Sequence, residues 1–169
     1  MTGSLLADAF GHHVWATVRL IDACLALTPE QLDTTVPGTY GSIIGTMRHL
    51  VGSDASYLHV LSDGRLLGID EDTKDLPELR EVMERNGPEW ASFVAGDLDP
   101  DAMVARHRDD GTVSHAPLGV RLAQALHHGT DHRSQICTAL TTLGVEPPEI
   151  DVFDFAQQDG RVEVVQRSS

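Results

Sequence analysis

Apolar residues recur at three- and four-residue steps in four separate stretches of the chain, the period of a helix with one buried face. In the first, Phe10, Val14, Val18, Ile21 and Leu25 form a narrow stripe, and Asp8, His12, Arg19 and Asp22 lie off it. Pro29 follows its end, and TPEQLD reads as a capped turn leading into the loop VPGTYG. A second helix is expected from the N-cap Ser42 to about Ser62, where DGR stops it. Its stripe is Ile43, Met47, Leu50, Leu58 and Leu61, with Ile44 and Val51 beside it. A third runs from about Leu76 to Ala95, with Asp75 as N-cap, Pro77 in the first turn, and Leu79, Val82, Met83, Trp90 and Phe93 facing inward. Gly87-Pro88 interrupts it and predicts a kink or a break. A fourth starts near Pro117 and ends at Leu143-Gly144, where glycine closes it.

Between the third and fourth helices, a DDG turn separates the arms VARHR and TVSHA, the signal of a hairpin over Met103 to Ala116. Residues 145–169 are rich in Pro and Asp and read as a tail packed across the helices. The 169 residues suit one domain with a sizeable core. The expected fold is all-α: an antiparallel four-helix bundle with a short β-hairpin or loop before the last helix.

Composition narrows the partners. Aromatics make up only 5%, so aliphatic side chains and Ala must build the core. A formal net charge of −14 supplies no basic footprint and argues against nucleic acid or an anionic membrane as partner. No stretch approaches a membrane span, and MTGSLLADAF lacks a basic region followed by an apolar run, so a cytoplasmic protein is expected. Cys24 and Cys137 each sit in an apolar helical pattern and read as buried free thiols. Helix one carries Trp15 on one side of its stripe and Leu20 and Leu27 on the other. A second subunit, the hairpin or the tail must cover that surface.

The chemistry concentrates in HHGTDHRSQI, residues 127 to 136. His128 and His132 are four apart and so stand one turn apart on one helical face, a spacing that lets two imidazoles converge on an ion. They lie on the shoulder of the arc centred by Leu118, Leu122, Ala125, Gly129, Ile136 and Leu140, at the edge of the core. His127 points elsewhere and is expected to be exposed. In helix two, His49 shares its face with Gly45, Gly52, Ser53 and Ser56. Such small residues either admit another helix or leave room for a ligand, and a histidine among them favours the ligand. Asp54 falls within an apolar stripe and calls for a buried partner or a water network. Arg133 reads as a structural partner of a neighbouring Asp or Glu, or else as an anion-binding group. His12 and His13 read as helix-surface histidines, with His13 as an extra ligand or base being the alternative. Asp131 faces away from its neighbours, Cys137 projects roughly opposite His128, and His107 and His115 would face each other across the hairpin.

Gly41-Ser42, His49-Leu50 and Tyr57-Leu58, followed late by HGTDHRSQ, resemble the DinB/YfiT-like family over essentially the whole chain. The resemblance implies an up-down-down-up four-helix bundle in which His49, His128 and His132 bind a divalent metal. By ligand type, zinc and nickel suit three imidazoles best, and manganese or iron is compatible. The resemblance further implies thiol S-transferases that use a low-molecular-weight thiol, metal-dependent hydrolases, and homodimers among the relatives. A transferase or related detoxification enzyme acting on a small molecule or thiol is the expectation. Its competitors are a hydrolase and a non-catalytic, stress-linked metal binder. No carboxylate is placed beside the three histidines by spacing alone, which weighs against the hydrolase.

Overall fold

The computed structural model describes residues 4–108 and 110–165. Among the described residues the chain is mostly helical, with a two-stranded antiparallel sheet ahead of its last long helix. Four long helices dominate: α1 (Leu5–Cys24), α3 (Ile43–Leu61), α4 (Leu76–Val94) and α5 (Leu118–Thr142). The short α2 (Pro29–Leu32) lies between α1 and α3, and a 3-10 turn (Glu71–Thr73) precedes α4. Strands β1 (Met103–His107) and β2 (Val113–Pro117) pair ahead of α5, and α6 (Val152–Gln158) lies within the tail. Among the described residues, no helix is long and apolar enough to cross a membrane.

The ends of the helices follow their capping chemistry. Ser42 Oγ accepts the Gly45 N–H at 3.2 Å, and Asp75 and Glu78 form a reciprocal capping box at the start of α4. Gly144 closes α5 at φ 73°, where the Gly144 and Val145 N–H groups cap the carbonyls of Thr141 and Leu140. TPEQL is a full helical turn, because Thr28 and Gln31 cap it reciprocally. Gly87-Pro88 does not break α4, which runs unbroken through it. The N–H that Pro88 lacks would have met the carbonyl of Glu84 on the exposed side of the helix, where water can take its place.

The buried face of α1 differs from the expected stripe. Phe10, His13, Ala16, Thr17, Leu20, Ile21 and Cys24 are buried, whereas Val14 and Val18 are half-buried and Leu25 is 46% exposed. Helix α1 packs against both α4 and α5, so its inner face is wide and centred on small and polar residues that hydrophobicity alone passes over. Leu20 belongs to the core of its own chain, and Leu27 packs partly against that core. Trp15 is covered by the tail: its ring lies 5.6 Å from that of Phe155, and its Nε1–H donates to Gln158. His12 donates to the Ile150 carbonyl at 2.8 Å, and Arg161 pairs with Asp8. The apolar surplus of α1 is thus met within the chain.

The core has two apolar clusters. One gathers Leu20, Ile21, Met47, Leu50, Leu79, Met83, Ile136 and Leu140. The other gathers Phe10, Leu58, Trp90, Val94, Leu118 and Leu122. Between them every long helix contributes a buried polar residue: His13 and Thr17 from α1, Asp54 from α3, Asn86 from α4 and Arg133 from α5. That layer answers the question posed by Asp54. His13 Nε2 meets its Oδ1 at 2.8 Å, Trp90 Nε1–H donates to the same oxygen at 2.9 Å, and Asn86 Nδ2 donates to Oδ2 at 2.7 Å.

Candidate metal centre

Helices α3 and α5 pack together and run antiparallel, with His49 against His128 at one level and Tyr57 against Gln124 at another. His49 Nε2 lies 3.1 Å from His128 Nε2, which in turn lies 3.2 Å from His132 Nε2. One donor atom from each ring falls within 4.8 Å of the other two, a cluster that could hold a metal ion. His49 and His128 are half-buried and His132 is buried, so the cluster sits at the edge of the core.

The outer edges of the rings fix their tautomers. Gln135 Oε1 accepts the backbone N–H of Tyr40 at 3.0 Å, which identifies it as the oxygen of that amide. The same oxygen lies 3.1 Å from His132 Nδ1, so Nδ1 carries the hydrogen and Nε2 of neutral His132 presents a lone pair. His49 Nδ1 meets Glu71 Oε1 at 3.4 Å, which likewise leaves its Nε2 free to coordinate. His128 Nε2 therefore faces two lone pairs and can donate to one of them at most. A shared cation resolves this conflict. Two ring nitrogens on one ion at about 2.1 Å stand about 3.0 Å apart at a right angle and about 3.4 Å apart at a tetrahedral angle. The observed separations of 3.1 and 3.2 Å lie between these limits, so the residues fit a divalent metal.

Burial, and then the neighbouring His132 and His49, push the pKa of His128 down to about 4. Burial lowers that of His132 as well, against the Gln135 hydrogen bond. Both rings are thus held neutral at physiological pH, the state that coordinates. Aromatic walls flank the cluster: Tyr40 stacks on His49 at 4.2 Å, and the Tyr57 ring stands edge-on to His128 at 5.9 Å.

Glu71 escapes the sequence reading because it reaches the site from the connection between α3 and α4. Its one trace is Gly52: a Cβ there would lie 1.7 Å from Glu71 Oε2, so the small residue makes room for this carboxylate and not for a ligand. His13 was expected on the helix surface and is instead 2% exposed, because α5 covers it. Arg133 Nη1 donates to His13 Nδ1 at 3.0 Å and to Thr17 Oγ1 at 3.2 Å. The expected structural role of Arg133 stands, but its direct partners are a histidine and threonines, with Asp54 one residue further along the relay. His127 and Asp131 are exposed. Cys24 is buried, Cys137 half-buried, and both are free thiols outside the cluster. His107 and His115 are not opposite each other: His115 pairs with Ala105 and His107 with Val113.

No curated protein matches the chain. The profile of the DinB family matches residues 1–163, nearly the full length, and His49, His128 and His132 come together where α3 meets α5. The protein belongs to the DinB family.

Proposed function

We propose that His49, His128 and His132 hold a divalent ion, zinc or nickel by ligand type, and that the protein is a metal-dependent thiol S-transferase or a related detoxification enzyme. One observation carries this reading: three ring nitrogens face one another with too few hydrogens to satisfy them, at spacings that suit a common ion. The four long helices are read with it as a single up-down-down-up four-helix bundle.

Three protein ligands leave coordination positions open, and a divalent ion there would supply a Lewis acid able to hold a bound thiol as its thiolate. The chain's own groups do the positioning. Glu71 and Gln135 orient the rings of His49 and His132. Ser53 and Ser56 share the face of α3 that bears His49, and Gln124 lies one turn from His128 on α5, so polar side chains continue along both helices away from the triad. A hydrolase would need a general base beside the coordinated water. Glu71 meets the Nδ1 edge of His49, the edge turned away from the other two rings, and so serves orientation better than proton removal.

The test is metal analysis of protein purified without chelator, followed by assays of the loaded protein with low-molecular-weight thiols and an electrophilic acceptor. His128→Ala should lose both metal and activity. Activity retained in metal-free His128→Ala would overturn the metalloenzyme, and a loaded wild type that turns over no thiol would leave a passive metal binder.

A further inference from the structure

Two helical turns along α3 from His49, a cation from the hairpin meets the helix. Strand β1 alternates, with Val104 and Arg106 facing inward and Met103, Ala105 and His107 outward. The inward guanidinium of Arg106 meets Ser56 Oγ at 3.5 Å. Ser56 lies on the same face of α3 as His49 but seven residues, or about 10 Å, further along.

Next to it stands Arg121, which is seven residues before His128 and so shares the triad's face of α5. The Arg121 guanidinium is already engaged, donating to the carbonyls of Val104 and Ser114 at 2.9 and 3.0 Å. Burial and the neighbouring Arg106 both lower its pKa. Arg121 thereby tethers the hairpin and fixes where Arg106 points. The chain has 26 acidic residues against 12 basic ones, yet among the described residues none pairs with Arg106. Two adjacent guanidinium groups repel, and an anion beside them relieves that repulsion.

We propose that Arg106, backed by Ser56, anchors a carboxylate of an extended substrate whose reacting end lies at the three histidines. This rests on the metal reading above. The planar fork of arginine suits a planar carboxylate, and a single free guanidinium suits one such group. The substrate class is then an acid-bearing small molecule, its charge separated from its reacting atom by about two helical turns, or about 10 Å.

Protein loaded with Co(II) reports thiolate binding by a charge-transfer band. Mercaptocarboxylates of increasing chain length, each paired with the mercapto-alcohol of equal length, probe the span from the three histidines to Arg106. The shortest pair should bind alike, and a longer acid should bind about tenfold tighter than its alcohol, the scale of a charge-assisted hydrogen bond. Arg106→Gln should abolish that preference and leave the affinity for mercaptoethanol unchanged. A preference that survives in Arg106→Gln, or that appears at no length, overturns the anchor. In a second arm the Arg106 Nε–H resonance of the wild type is followed with succinate and with succinamide. A shift with the acid alone supports the anchor even if no thiolate band forms, in which case the thiol reading is what fails. No shift with succinate overturns the anchor whatever the metal does.

Discussion

Gly129 lies flush against the ring of His13: a Cβ on this glycine would stand 2.4 Å from Cε1 and 2.6 Å from Nδ1. The ring cannot step aside, because Asp54 holds one edge and Arg133 the other. Alanine gains about 1 kcal/mol over glycine in a helix interior, but overpacking a pinned core costs about 1–3 kcal/mol or more. Gly129→Ala should therefore destabilise the protein in denaturant titrations. It should also disturb the turn that carries His128, weakening metal binding.

Gly52→Ala makes the opposite pattern. Its Cβ would overlap Glu71, but Glu71 sits in a half-exposed 3-10 turn that can move outward. The helix gain and the displaced turn oppose each other, so stability should change by less than about 1 kcal/mol. His49 loses its Nδ1 partner, and metal affinity should fall about tenfold or more. Competition with a chromophoric chelator measures this, and Glu71→Gln should lie between the variant and wild type.

Asp54 accepts from three buried donors and balances the charge of Arg133. Asp54→Ala strands all three donors and should cost about 3–5 kcal/mol, the range for breaking a buried charge pair. Asp54→Asn retains an acceptor oxygen and should cost less. Urea denaturation of the two variants tests the order.

In protein stripped of metal, His128 should make folding stability fall as pH drops. Its folded pKa of about 4 lies below the ordinary 6.5, so between these values the unfolded chain binds the extra proton. Stability from this ring is complete above about pH 6.5, is lost on descent toward about pH 4, and changes no further below it. His132 acts in the same direction. Chemical denaturation at a series of pH values should show a flatter profile for His128→Ala.

Much of this was written in spacing. The i, i+4 pair His128 and His132 needs only helical geometry to share a face, and the caps at Ser42 and Asp75 start α3 and α4 where side-chain oxygens can bond free N–H groups. His13 was not legible, because a buried imidazole depends on partners 41 and 120 residues away. Glu71 was not legible either, since a connecting turn has no periodicity and its contact with α3 is tertiary. Helix α6 escaped because none of its seven residues is buried, and its support comes from Gly11, His12 and Trp15 of α1.

His49 and His128 meet across 79 residues of chain. An ion shared between them would close α4, the hairpin and the first part of α5 into one ring, much as a covalent cross-link does. Metal would then be part of the folding equilibrium itself: each tenfold excess over its dissociation constant adds about 1.4 kcal/mol to the free energy of unfolding. Hydrogen exchange in α3 and α5 would slow together on loading, and the resistance of the chain to proteolysis would follow the supply of the ion.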